Sequence, residues 1–326
     1  MPRLEELSVR AGDARLAATL TLPDEPPPAD RHGRHPNVLL LPSWLPRDRD
    51  GVYDRTGHPT WFARRPMAAD GQGLLRRLAD ALAAHGIASL RCDPRGCGAS
   101  DGAWEAVPLF TKIDDARDML AAMRSHGALD LRRTGLLGHG EGAVLALSVA
   151  IGDPAVSALT LVGPAARSWR SVLRAAVAAR GRSGRDREHP IVAALDRWSE
   201  DVLERAARRE VRMELPLPTG DVVILSLAGV DQAIHTPPLA LATMLHRSIS
   251  LVHGATDRWS HPDESGLLED ALRGAGNTPS RRLVPGADHD LAEAPEGVID
   301  EVASDLAARL EPRDLPPALL AIEGME

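Results

Sequence analysis

The run Thr134-Gly-Leu-Leu137, then Gly138-His139-Gly140-Glu141-Gly142, then Ala143-Val-Leu-Ala-Leu-Ser-Val-Ala150, decides how this chain is read. A short apolar run that passes within five residues into a helix-forming run predicts a strand turning directly into a helix. Such a turn is tight, and glycines two positions to either side of its centre let the strand end and the helix start pass closely. The central residue of the bend points its side chain over the carboxyl end of the sheet. Here that residue is Gly140, so nothing projects.

Working outward from the bend, short continuous apolar runs alternate with helical stretches. Val38-Leu-Leu-Leu41 is followed by a predicted helix over 74–85, Ile87-Ala-Ser-Leu90 by a helix over 113–125, and Ala158-Leu-Thr-Leu-Val162 stands beyond the bend. Ile249-Ser-Leu-Val252, a helix over 264–272, Arg282-Leu-Val284 and a helix over 296–310 repeat the rhythm near the C-terminus. Strands without alternation, crossed over by helices, predict an α/β fold with a mostly parallel sheet buried on both faces. Two alternating stretches, 4–10 and 15–22, read as an antiparallel pair at one edge, and the Pro-rich segment 23–36 reads as a surface connection. The stretch 164–238 breaks the rhythm. Its helical runs over 172–180 and 191–209 are Arg- and Glu-rich, and it is expected to be an inserted, largely helical cap at the carboxyl end of the sheet. The core is then 1–163 and 239–326, with a peripheral tail after Glu311. Trp169, Trp198 and Met213 in the cap read as packing residues first and as pocket lining second.

With 326 residues, 44% of them hydrophobic and 26% charged, the chain has enough apolar material for one large α/β core or two modest domains. The net charge of −8 argues against a nucleic-acid partner, because phosphate binding needs a dense basic field. No apolar run reaches the roughly 18–20 residues that cross a bilayer, and the N-terminus lacks the layout of a secretory signal, so no membrane partner and a cytoplasmic location are expected. Cys92 and Cys97 are too few and too close for a disulfide framework or a complete zinc site. Nothing in the sequence calls for a metal or an organic cofactor, and the expected partner is a small-molecule substrate or ligand.

His253-Gly-Ala-Thr-Asp257 follows one C-terminal strand, and Pro285-Gly-Ala-Asp-His289-Asp290 follows the next. An aspartate and a histidine carried by adjacent strand ends can form a charge-assisted hydrogen bond that fixes the imidazole tautomer. Asp257 is therefore the candidate orienting acid and His289 the candidate general base. With Gly140 they make the order bend, acid, histidine.

On these residues, with Val38-Leu-Leu-Leu-Pro-Ser-Trp44 and Arg91-Cys-Asp-Pro-Arg-Gly-Cys-Gly-Ala-Ser-Asp-Gly102, the chain resembles the α/β-hydrolase superfamily, particularly its bacterial esterase-like and prolyl-oligopeptidase-like members. The resemblance spans roughly 37–163 and 239–310. It implies a serine-hydrolase site for an ester, thioester or amide, with oxyanion-hole amides at Glu141 and Trp44. Two departures stand out against the pattern: Pro42-Ser43 where the family carries His-Gly, and Gly140 where it carries the serine nucleophile. Pro42 lacks an N–H and fixes its own φ, which predicts a different path for this loop. The missing serine leaves three readings open. The chain is a serine hydrolase with an incomplete catalytic triad, weakly active or inactive; a non-covalent enzyme in which His289 activates water or acts as a lyase or cyclase base; or a pseudoenzyme that binds a small ligand or partner. Within the 91–102 segment the resemblance implies a scaffold role, with Asp93 and Arg95 pairing internally. Cys97 reads as a small buried residue, and Asp48, Arg49 and Asp50 as salt-bridge anchors of their loop. His139 and Glu141 read as flanking residues pointing away from the centre.

Overall fold

The computed structural model describes residues 1–27, 33–44, 46–53, 73–172, 200–216, 222–317 and 319–320. Among the described residues ten strands form the framework: β1 (Arg3–Ala11), β2 (Ala14–Leu22), β3 (His35–Leu41), β4 (Ala88–Cys92), β5 (Leu129–His139), β6 (Val156–Val162), β7 (Arg212–Pro216), β8 (Val222–Ser226), β9 (Ser248–Gly254) and β10 (Ser280–Val284). Eight form one sheet in the order β1-β2-β4-β3-β5-β6-β9-β10. The pairs β1–β2 and β2–β4 are antiparallel, and every pair from β4 to β10 is parallel. This is the expected α/β architecture, with the hairpin at its edge. β1 alternates between exposed and buried positions as an edge strand does, whereas every position of β3 and β6 is buried.

The pleat sorts each buried strand into two cores. Leu39 and Leu41 of β3 face one layer, built from α2 (Leu109–Arg124), α3 (Gly142–Gly152), α5 (Pro238–Ala242) and α6 (Asp263–Gly274). Val38 and Leu40 face the other, built from α1 (Leu74–Ala84) and α7 (Val298–Arg309). In α1, Leu74, Leu75, Leu78 and Leu82 share one face and are buried, and the helix ends where Gly86 takes a φ of +73°. α3 is nearly all apolar, and its buried positions cover most of its circumference. A buried helix of this kind has to start where the strand before it ends, which sets up the bend.

Between β6 and β9 the chain leaves the sheet. Residues 200–207 are helical, β7 and β8 pair with each other as a separate antiparallel hairpin, and α4 (Val230–His235) and α5 lead back into β9. The apolar patch expected as an isolated feature over 222–227 is thus a strand. Its β-branched residues favour extended backbone, and its partner comes from the segment just before it. Beyond Val172 the expected helix over 172–180 lies outside the described residues, as do residues 191–199 of that expected over 191–209, Trp198 among them; the remainder of the latter is helical through residue 207. Beyond α7 the tail runs along the sheet end, with the Arg313 amide on the Arg132 carbonyl and Leu315 against Leu131 and Ala155. No helix among the described residues is long and apolar enough to cross a membrane.

The loop after β4 is scaffold, but its ion pairs differ from the expected pairing. Arg95 binds Asp115 at 2.7 Å and Asp13 at 2.6 Å. Asp93 instead takes the Arg49 guanidinium at 2.8 Å, the Arg49 amide at 2.7 Å and the Ala99 amide at 2.9 Å. Gly98 makes room for that carboxylate, since a Cβ there would lie 2.3 Å from it. Arg49 also reaches Glu6, and Asp50 reaches Arg91, so these residues do anchor their loop. Cys97 is buried, and Cys92 is buried with its thiol pushed up to about 12, chiefly by burial. The Asp93 carboxylate is only 3% exposed. Asp93→Ala is therefore expected to lower the unfolding free energy by about 2–4 kcal/mol, read from the urea midpoint, because it removes the buried partner of Arg49 and strands two backbone amides.

Candidate active site

β5 delivers Gly138 and His139 to the bend, and Glu141 stands at the N-cap of α3. Strand end and helix start cross so closely that a Cβ on Gly138 would lie 2.2 Å from the Gly142 carbonyl oxygen. A Cβ on Gly142 would lie 2.3 Å from the Leu41 carbonyl oxygen at the end of β3. Only glycine fits at either position, and the same crossing pins the loop after β3 against the start of α3. Gly140 itself has a φ of +55° and anchors the apex by donating its N–H to the Val162 carbonyl at 2.9 Å.

β9 and β10 bring Asp257 and His289 to this apex. The Asp257 Oδ2 accepts from His289 Nδ1 at 2.7 Å and from His253 Nε2 at 3.1 Å. Its Oδ1 accepts the Trp259 amide at 2.7 Å and the Ser260 amide at 3.0 Å. Burial opposes the charged carboxylate, but the charge of His289 and the hydrogen bonds from both imidazoles outweigh it and hold Asp257 well below the usual carboxylate range. His289 moves the other way: burial lowers its affinity for a proton, and the Asp257 carboxylate, by charge and hydrogen bond, more than restores it. The net shift is upward.

Because His289 Nδ1 donates to Asp257, the neutral ring offers Nε2 as its acceptor. Nε2 points at the bend. A Cβ built on Gly140 would stand 2.9 Å from it, so the three residues singled out in the sequence do converge. Gly163, at the end of β6 with φ +56°, forms the floor on the other side, where a Cβ would meet His289 Nδ1 at 3.0 Å and Asp257 Oδ2 at 3.3 Å.

Three side chains to which the sequence assigns no role, Ser43, His253 and Arg47, complete the surroundings together with His139. Ser43, on the loop after β3, places its Oγ 3.3 Å from His289 Nε2. A Cβ on Gly140 would lie only 2.3 Å from that same oxygen. His253 shares the Asp257 carboxylate and also donates to the Ser260 carbonyl at 2.9 Å. Arg47, 2% exposed, pairs with Asp290 at 2.9 Å and lies over the Tyr53 ring. His139 was expected to point away, and it does leave the cavity; its fully buried ring nevertheless packs beneath His289, with ring centroids 4.6 Å apart. It donates Nε2–H to the His289 carbonyl at 2.9 Å. Burial, then the like charge of His289, lower the His139 imidazole to about 3. The Glu141 side chain does turn away, into an ion pair with Lys112 at 2.6 Å.

A cavity opens over Gly140 and His289, walled by Trp44, Leu109, Val144, Trp169 and Trp259. Trp169 therefore lines the cavity, packing its ring 6.2 Å from that of Trp44, which is the less favoured of the two uses the sequence offers for it. Met213 is buried as expected. No group of three or more His, Cys, Asp or Glu side chains among the described residues is arranged to hold a metal ion.

The family model described as serine aminopeptidase, S33, matches residues 68–296, and the chain belongs to this hydrolase family. Several solved structures share the fold. Est1E from Butyrivibrio proteoclasticus, solved with ferulic acid bound, is 16% identical over 93% of this chain and 96% of its own, with a TM-score of 0.61. A putative hydrolase from Agrobacterium vitis S4 is 18% identical over 95% of this chain and all of its own, with a TM-score of 0.60. An acylaminoacyl peptidase from Pyrococcus horikoshii is 13% identical over 99% of this chain and 44% of its own, with a TM-score of 0.61. No curated protein matches the chain by sequence.

Two outcomes follow from this packing. Gly140→Ala is expected to cost about 1–3 kcal/mol through overpacking, and in a Ser43→Gly background the cost should shrink, because the Ser43 Oγ and Cβ it meets are gone and the His289 Nε2 contact alone remains. Strictly additive penalties in that double-mutant cycle would contradict the contact. His139 stays neutral in the folded chain down to about 3, whereas the unfolded chain protonates it below about 6.5. The unfolded state then binds the extra proton, so His139 removes stability as the pH falls from about 6.5 towards 3, by about 1.4 kcal/mol per pH unit. Relative to the parent, His139→Gln should flatten the acid limb of the urea midpoints between those limits by that slope, and parallel limbs would contradict it.

Proposed function

We propose that this hydrolase acts on an ester, thioester or amide, with His289 as the proton-transfer group, Asp257 as its orienting acid and the Glu141 and Trp44 amides as the oxyanion donors. Gly140 supplies no nucleophile in this reading. The observation that carries it is the His289 ring, tied at Nδ1 to a buried carboxylate and presenting Nε2 to the bend at the mouth of the cavity. A base so oriented, with a proton affinity raised by its carboxylate, is poised to take a proton from an attacking hydroxyl and return it to a leaving group. The tryptophan-rich wall supports an apolar or aromatic group on the acyl or the leaving side. The S33 hydrolase family and the esterase among the similar folds lend the same support. The stretch 164–238, which supplies Trp169 to this wall, serves as the cap over the substrate.

The test is hydrolysis of p-nitrophenyl esters of graded chain length. His289→Ala is expected to lower kcat/KM by roughly 10²- to 10⁴-fold with the fold retained, and Asp257→Asn to do so to a lesser degree. Parent-like turnover in His289→Ala would overturn the reading.

A further inference from the structure

The acyl-hydrolase reading leaves open which oxygen attacks. One hydroxyl is already in place. Ser43 Oγ lies 3.3 Å from the accepting nitrogen of His289, a reach normal for a nucleophile and its base before substrate tightens the site. It lines the same cavity as Gly140 and His289. The loop that carries it is anchored immediately before Ser43: buried Pro42 fixes its own φ, and the Leu41 and Pro42 carbonyls lie against Gly142 at the start of α3. Gly140 provides the room, since a Cβ there would occupy space 2.3 Å from Ser43 Oγ and 3.0 Å from its Cβ. The absence of a side chain at the bend and the presence of a hydroxyl opposite it are two halves of one packing arrangement.

We propose that Ser43 is the nucleophile of this site, its hydroxyl delivered from the loop after β3 instead of from the bend at Gly140. The proposal rests on the hydrolase reading for its substrate class, carboxylic esters or thioesters with an apolar group. Ser43 Oγ bonds to the acyl carbon as its proton passes to His289 Nε2, and the carbonyl π electrons move onto oxygen. Collapse of that tetrahedral species breaks the bond to the leaving group, which takes the proton back from His289, and leaves an acyl ester on Ser43. Water then adds to the ester with His289 accepting its proton, and the acid departs as the proton returns to Ser43 Oγ. The two oxyanion amides keep their loops and exchange parts: Trp44 now follows the nucleophile, and Glu141 faces it from the start of α3.

A fluorophosphonate probe followed by peptide mapping tests this independently of turnover. The expected result is one adduct, on Ser43, absent from Ser43→Ala and from His289→Ala, with ester hydrolysis in Ser43→Ala down by about 10³-fold or more. His289-dependent hydrolysis that persists unchanged in Ser43→Ala would overturn the proposal while leaving the hydrolase reading intact. An adduct on Ser43 in a protein that hydrolyses no ester would do the reverse. No adduct on Ser43 overturns it in either case. Should Ser43→Ala fail to fold, Ser43→Cys provides the second measurement, since Cys92 and Cys97 are buried. Its alkylation by iodoacetamide at pH 6 is expected to outpace that of a free thiol and to slow at least 10-fold when His289→Ala is added. Equal rates with and without His289 would also overturn it.

Discussion

One carboxylate oxygen, Oδ2 of Asp257, receives two imidazoles, while the other oxygen receives two backbone amides. Taking a charge out of water is costly, and four donors offset that cost only if none of them is displaced. His253 braces the carboxylate from the end of its own strand, so three of the four contacts on the aspartate come from β9 and the turn after it, without β10. His289 then docks onto a carboxylate that has a single open position left. Gly163 closes one side of the ring, and His139 closes another. The imidazole is left with one open direction, towards Gly140 and Ser43, and every chemical reading of the site starts from that restriction.

Much of the fold was legible because it is written in local runs. β3, β6 and β9 announce themselves as continuous apolar segments, the end of β5 does so over 134–137 while its charged first half does not, and the bend shows as glycines at fixed spacing around one residue. Asp257 and His289 were legible because each closes a strand in a turn of its own. Contacts between distant loops were not. Ser43 and His289 are separated by 246 positions, and no periodicity connects them. The signal that was available lay in the two departures from the family pattern, Ser43 and Gly140, which sit on loops that face each other. The stretch matched by the family model begins at residue 68, beyond the Ser43 loop, and so carries no information about it.

His253 and the ion pairs were missed for a different reason. Four residues separate His253 from Asp257, a spacing that means a shared face in a helix but nothing fixed across a strand end and a turn. Asp93 and Arg95 are neighbours in sequence, yet they point into different clusters and find their partners on the loop after β3 and on α2. The β7–β8 hairpin was obscured by the Arg- and Glu-rich helical residues before it. Strand pairing is a relation between two segments, and a scan for periodicity sees one segment at a time.

The close approach of residues 43 and 140 also constrains how this chain can drift. Two serines facing across the gap would crowd each other, and two glycines would take from His289 the hydroxyl that Ser43 holds beside it. Each position's tolerance therefore depends on what the other holds, so an exchange made one codon at a time passes through a compromised ancestor. Such reciprocal dependence, a form of sign epistasis, would hold a chain with Ser43 and Gly140 apart from one with the two residues exchanged, even with the acid and the imidazole unchanged.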